Sequence, residues 1–126
     1  MQVKQPLFTI ITSTFNAGQA IEIAAASVRG QHRDDVEYII VDGASKDDTL
    51  HFVARNRDVV TTVISEPDKG IYDALNKGIR AARGKLIGII GADDSLVPGA
   101  LGAVARQFGQ KPADIYAGQT LLTNDK

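Results

Sequence analysis

The chain has 126 residues, 44% of them hydrophobic and 23% charged, which is the size of one domain with a real core and the make-up of an ordinary globular protein. A net charge of −1, from 14 basic and 15 acidic residues, gives no basic field for nucleic acid, and 6% aromatic residues without Trp argue against a platform for single-strand stacking. The lack of Cys excludes disulfides and thiolate zinc sites and leaves the compartment open, though the cytosol fits; the short apolar run Leu7–Ile11 is too brief for a signal peptide, and no stretch approaches the ~20 apolar residues that span a bilayer.

Strands and helices alternate along the chain. Leu7–Ser13 is β-branched and apolar, hence a first strand, and the Ala-rich Gln19–Val28, with Ile23 and Ser27 on one face, is a helix. Tyr38–Val41, extended back to Val36, is a second strand. Ser45-Lys46-Asp47-Asp48 resembles a capping box with Asp in place of Glu and starts a helix running through Asn56. Val59–Ile64 is a third strand. Ile71, Leu75 and Ile79 recur at helical spacing over 71–82, and Gly84 ends that helix as a C′ residue. Leu86–Ile90 is a fourth strand, Pro98 opens a helix over 98–108 from its first position, and Asp114–Ala117 is a fifth strand. Alternation of this kind, with near-continuous apolar strands, predicts an α/β fold with a mostly parallel sheet covered by helices on both faces.

Acidic residues recur where these strands end. Asp93 and Asp94 follow strand four and Asp42 ends strand two, on the rim where an open α/β sheet holds its ligands. Two adjacent carboxylates beside a glycine-rich backbone suit a divalent cation, Mg2+ or Mn2+, bridging diphosphate oxygens; the plainer alternative is a solvated Asp–Asp turn capping the next helix. Asp42 could accept from a ribose hydroxyl or a base N–H, or simply close a turn in which Ser45 caps the helix. The ring of Phe15, beside Asn16, could stack on a base, although a Phe next to a sheet is more often core. Gly70 could let backbone approach a phosphate at a helix N-terminus, or serve only as a turn glycine. Asn76 is unfavourable inside a helix and calls for a reason, such as a hydrogen bond to a neighbouring loop. Gly78–Lys85 only imitates a P-loop, with five residues between its glycines, and no G-x-G-x-x-G follows strand one. His32 and His51 lack ligand spacing and read as surface residues, and Arg80 with Arg83 reads as a solvated helix face.

Taken in order, TIITSTFN (9–16), VDGASKDDT (41–49), SEPDKGIYDALNKG (65–78), Gly84 and GADD (91–94) resemble the family 2 glycosyltransferases of the GT-A fold, over essentially the whole chain. The wording SEPDKGIYDALNKGI is similar to the branch that builds bacterial capsule, O-antigen or exopolysaccharide units. The resemblance implies a Rossmann-like nucleotide-diphospho-sugar transferase fold, a UDP- or similarly activated sugar donor, a divalent cation, a saccharide or lipid-linked acceptor, and transfer with inversion. It also implies a cytoplasmic place at the inner face of the membrane. Carried onto this chain, Ser13, Phe15, Asn16, Asp42, Asp68, Gly70, Asn76 and Asp93 would bind the nucleotide-sugar. Phe15 would stack on the base, Asp42 would contact the nucleoside, Asp93 would lie near ribose and diphosphate, and Asp94 with Asp93 would hold the metal. Three positions depart from the pattern: Gly43 stands where many members have a second acid, Leu75 where many have Arg, and Gly91 where D-x-D-D begins. The chain is expected to be one donor-binding domain, 1–126, ending after strand five without the acceptor half and its general base, and to self-associate through the surface so exposed. The rival expectations are a non-catalytic nucleotide-binding module and a phospho-acceptor receiver domain. A receiver would need acids after strands one and three, where Phe15-Asn16 and Ser65-Glu66 stand.

Overall fold

The computed structural model describes residues 5–111. Four strands, β1 (Phe8–Thr14), β2 (Val36–Asp42), β3 (Thr62–Ser65) and β4 (Leu86–Ile89), alternate with four helices, α1 (Ala20–Arg29), α2 (Thr49–Ala54), α3 (Ile71–Ala81) and α4 (Ala100–Gln110). The sheet order is β3-β2-β1-β4 and every pairing is parallel. This is the α/β architecture that the alternation implies. The expected fifth strand, Asp114–Ala117, lies outside the described residues.

The period of two along each strand divides the core. Phe8, Ile10, Tyr38 and Ile40 pack with Ile21, Ala24, Ala25 and Val28 of α1, Val53 of α2 and Leu101 of α4. Ile11, Ile39 and Val41 point the other way, onto Ala74 and Leu75 of α3. Nearly every residue of β1 and β2 is buried, as expected for central parallel strands covered on both faces. The sheet packs close to α3 because Gly78 has no side chain: a Cβ there would stand 2.7 Å from Ile11 Cγ2. In α1 the buried face is Ile21, Ala24, Ala25 and Val28, whereas Ile23 is exposed.

Several local expectations give way to longer-range contacts. Ser45 caps no helix; α2 starts only at Thr49, opened by Asp47 Oδ1, which accepts from the Thr49 N–H and hydroxyl. Residues 56–60 form a turn on the Asn56 carbonyl, so β3 begins at Thr62. Pro98 precedes α4, which starts at Ala100 after Gly99 in a left-handed conformation (φ 80°). Gly84 is not a left-handed C′ residue. Its missing side chain leaves room for β1 instead, since a Cβ would lie 2.5 Å from the Thr9 nitrogen and 2.6 Å from the Phe8 carbonyl carbon.

Arg83 is likewise more than a solvated cation. Its Nε donates to Glu37 Oε2 at 3.0 Å and its N–H to Glu37 Oε1 at 2.8 Å. Thr9 Oγ1 donates to the same carboxylate at 2.7 Å and accepts from the Gly84 N–H. Burial alone would raise the Glu37 carboxyl; the bonds from Thr9 and Arg83 outweigh it and hold it below the usual glutamate range. This network ties the exit of α3 to β1 and β2, at the rim opposite the acidic loops.

Gly84→Ala is expected to destabilise the protein by about 1–3 kcal/mol, the usual cost of overpacking, because the clash is with backbone rather than with a side chain that can rotate away. The urea midpoint of unfolding checks it; an unchanged midpoint would show that β1 and residue 84 do not approach this closely.

Candidate functional site

Because all four strands run parallel, Phe15, Asp42, Ser65 and the loop after β4 sit at one rim of the sheet. Its centre is a row of polar side chains across three strands. Thr14, Asp42 and Ser65 are in register, so they share one face. Thr14 Oγ1 donates to Asp42 Oδ1 at 2.7 Å and Ser65 Oγ donates to Asp42 Oδ2 at 3.0 Å. Ser45 adds its N–H to Oδ2 at 2.8 Å and its hydroxyl to Oδ1 at 2.5 Å. The competing claim of Asp42 on both donors of Ser45 explains why Ser45 caps nothing.

Asp42 is fully buried. Its four accepted bonds match the roughly four lone-pair sites of a carboxylate, so a nucleoside contact would have to displace one of them. Burial pushes its carboxyl up, and the hydrogen bonds from Ser45, Thr14 and Ser65 together bring it below the usual aspartate range. Sequence reasoning singled out Asp42 but missed the hydroxyls that hold it; the signal was a Ser or Thr ending each neighbouring strand.

Asn16 binds the adjacent loop. Its backbone, at φ 51°, donates to Ser45 Oγ at 2.8 Å, and its Oδ1 accepts from the Lys46 N–H at 2.9 Å. Phe15, immediately before it, is 67% exposed, so the core alternative for this ring is set aside. Ser13 is half-buried, with no hydrogen bond from its hydroxyl among the described residues. Asn76 is exposed on α3 and bonds to no neighbouring loop among the described residues.

The segment between β3 and α3 arches over the rim. Glu66 N–H donates to the Asp42 carbonyl at 3.0 Å, and Lys77 reaches back from α3 to the Pro67 carbonyl at 2.9 Å. Asp73 Oδ2 accepts from the Lys69 N–H, and Asp68 Oδ1 from the Gly70 N–H. Gly70 has φ 116°, a conformation that suits only glycine. Asp68 is half-buried, with its carboxylate against Gly43, where a Cβ would stand 2.8 Å from Oδ2.

Asp93 and Asp94 are exposed in a turn closed by the Asp94 N–H on the Gly91 carbonyl. Both carboxylates lean over Gly91: a Cβ there would lie 2.7 Å from Asp94 Oδ2 and 3.3 Å from Asp93 Oδ1. The loop hangs from α1, where Ser27 Oγ accepts from the Leu96 N–H and Gln31 bridges the Val97 carbonyl and the Leu101 N–H. Among the described residues no three His, Cys, Asp or Glu groups gather as a metal cage. Two converging carboxylates still fit Mg2+ or Mn2+, which is commonly held by one or two carboxylates with the remaining positions filled by phosphate and water.

Comparison with known proteins bears on the family and the fold. The model of the family described as "Glycosyl transferase family 2" matches residues 9–126. A PGL/p-HBAD biosynthesis glycosyltransferase of Mycobacterium bovis is 34% identical over 122 residues, covering 93% of this chain and 48% of the relative. The chain thus spans about half the length of that relative. Among solved structures, the mannosyltransferase PcManGT from Pyrobaculum calidifontis, in complex with GDP-Man and Mn2+, superposes with a TM-score of 0.74 at 29% identity, over 82% of this chain and 32% of that one. S. aureus TarS 1-349 in complex with UDP-GlcNAc superposes with a TM-score of 0.77 over 82% of this chain and 31% of that one; at 23% identity it shares the fold.

Asp42→Asn would remove the charge that three hydroxyls and the Ser45 N–H now meet and would turn an amide NH2 toward donors that must rotate to accept it; it is expected to cost about 3 kcal/mol of stability at neutral pH, in the range for a disrupted buried charge. The folded carboxyl titrates below the unfolded value of about 3.9. Its contribution is therefore complete above that pH and is lost as pH falls through the lower folded value. Unfolding curves of wild type and Asp42→Asn are expected to converge below about pH 4; a constant gap at every pH would show that the ionised form is not what the hydroxyls stabilise.

Proposed function

The chain belongs to glycosyl transferase family 2, and from that premise we propose that its C-terminal strand rim binds a nucleotide-diphospho-sugar, with a UDP-sugar as the preferred donor. The activity to which this site contributes is transfer of the sugar, with inversion, to a saccharide or lipid-linked acceptor in cell-surface polysaccharide synthesis. The observation that carries this reading is the gathering, on one rim of a parallel sheet, of an exposed ring and acidic loops from three different strand ends. Sheets of this kind bind ligands outside the carboxyl ends of their strands.

The parts take separate roles. The exposed Phe15 ring offers a face to the base. Asp42 works from below, locking β1, β2, β3 and the β2–α2 loop into one platform. Gly70, in a conformation closed to other residues, keeps side-chain bulk away from the approach to α3. Asp93 and Asp94 would hold Mn2+ or Mg2+ together with the diphosphate. When bound, such a cation stabilises the negative charge that develops on a departing nucleoside diphosphate. The Mn2+ in the complex of the mannosyltransferase relative supports this assignment. Inversion further requires a base to take the acceptor's proton, a role that none of the residues assigned here fills. Among the described residues no helix is long and apolar enough to cross a membrane.

Asp94→Ala is expected to weaken UDP binding at least tenfold in Mn2+ and to leave the weaker binding in EDTA unchanged, as measured by isothermal titration. Equal loss in both conditions would point to a folding defect or a direct nucleotide contact. Wild-type protein that binds no nucleoside diphosphate in Mn2+ would overturn the donor-site reading.

A further inference from the structure

We propose that Ser27 and Gln31, at the C-terminal end of α1, are positioning residues for the metal–diphosphate site and act through the segment that carries Asp93 and Asp94. This role rests on the donor-site reading above and extends it to two side chains outside the acidic loops. The turn at Asp93 and Asp94 has little to hold it by itself. Both residues are exposed, and neither carboxylate accepts a hydrogen bond among the described residues. The one bond within the turn runs from the Asp94 N–H to the Gly91 carbonyl. Where the two carboxylates stand is therefore set by the path of the backbone that follows them.

That path is set from α1. The described hydrogen bonds between 92–101 and distant segments all end on Ser27 or Gln31. Ser27 Oγ spends its proton on the Ala24 carbonyl at 2.7 Å, which turns a lone pair to the Leu96 N–H at 3.0 Å. Leu96 is only two residues beyond Asp94. One turn further on, the Gln31 amide is used at both ends. Its Oε1 accepts from the Leu101 N–H at 2.9 Å, and its Nε2 donates to the Val97 carbonyl at 2.9 Å and to the Ser27 carbonyl at 3.3 Å. Because one end must accept and the other must donate, no carboxylate or hydrocarbon of the same size can replace this amide.

Apolar contacts alone would leave the segment free to slide. Leu96 and Leu101 pack against the core on the α1 face, but such packing is non-directional. The bonds to Leu96, Val97 and Leu101 add direction, and they fix the exit of the acidic turn. A small divalent cation tolerates little error in the placement of its oxygens. Loosening the groups that orient metal ligands commonly costs about tenfold to hundredfold in metal affinity.

The test is titration of this chain with UDP in Mn2+ and in EDTA, for wild type, Gln31→Glu, Ser27→Ala, Ser27→Thr, Asp94→Ala and Gln31→Glu combined with Asp94→Ala. Amide hydrogen exchange of the metal-free proteins and thermal unfolding accompany it. Gln31→Glu, which keeps the size but not the donor, and Ser27→Ala are expected to weaken UDP binding in Mn2+ about tenfold and to leave binding in EDTA unchanged. Both are expected to speed exchange at the Asp94 N–H without metal, although neither side chain touches that group. Ser27→Thr, which keeps the hydroxyl, is expected to restore both readouts. Added to Asp94→Ala, Gln31→Glu is expected to cost nothing further, as for residues that act through one another. If Gln31→Glu and Ser27→Ala bind UDP in Mn2+ as wild type does while Asp94→Ala does not, the positioning role is overturned and the donor site stands. Equal loss in Mn2+ and EDTA with a lowered melting temperature overturns it as well, assigning both residues to the fold. If wild type binds no nucleoside diphosphate in Mn2+, the donor-site reading fails and the positioning role with it.

Discussion

The buried carboxylate of Asp42 is the constraint around which the functional rim is organised. A charge withdrawn from water costs several kcal/mol unless every lone pair is met, and here the donors come from β1, β3 and the loop that leads into α2. Satisfying one side chain therefore fixes where three strands end relative to one another. It also fixes the path of the β2–α2 loop, which Asn16 then clasps from the β1 side. The platform is rigid because a half-satisfied carboxylate would be worse than none.

A second buried acid does the same work at the far rim. Glu37 gathers Thr9, Arg83 and, through Thr9, Gly84, so the β1–β2 pair is pinned at both ends by a charge with matched donors. The acids left in solvent-accessible loops have the opposite character. Asp93 and Asp94 are exposed, and Asp68 keeps an oxygen without a partner. Acids that are spent internally build the frame, and acids that are not spent keep oxygens without a protein partner. That division follows from hydrogen-bond saturation rather than from charge, which is the same in both sets.

Glycines decide how closely these groups approach. Gly78 brings α3 onto Ile11, Gly84 brings the start of β4 onto the β1 backbone, and Gly43 and Gly91 make room for the carboxylates of Asp68 and Asp94. At Gly43 and Gly91 the space that a side chain would fill is taken by an acid from elsewhere in the chain. The departures from the family pattern at these two positions are therefore matched by acids placed beside them. At Gly43 the rearrangement carries no local signature, since the acid that fills its space comes from the β3–α3 segment, whereas at Gly91 the acids follow within the same turn.

The order of strands and helices, the parallel sheet and the acidic strand ends were all legible in the residues. Each is written locally, as β-branched apolar runs with a period of two, helical spacing of Ile and Leu, and carboxylates where those runs stop. The family was legible for the same reason, because its motifs sit at those strand ends. What was not legible depended on partners distant in sequence. Ser45 looked like a cap until Asp42 claimed its donors, Arg83 looked solvated until Glu37 arrived from β2, and Gly84 looked like a helix stop until β1 lay against it. Phe15 was as compatible with core as with surface, and only the path of the chain after β1 left its ring in solvent. Local pattern determines which elements form, because periodicity and propensity act over a few residues. Which side chains are used up and which stay available is decided only when the strands are side by side, because hydrogen-bond capacity and close packing are settled between segments, not within them.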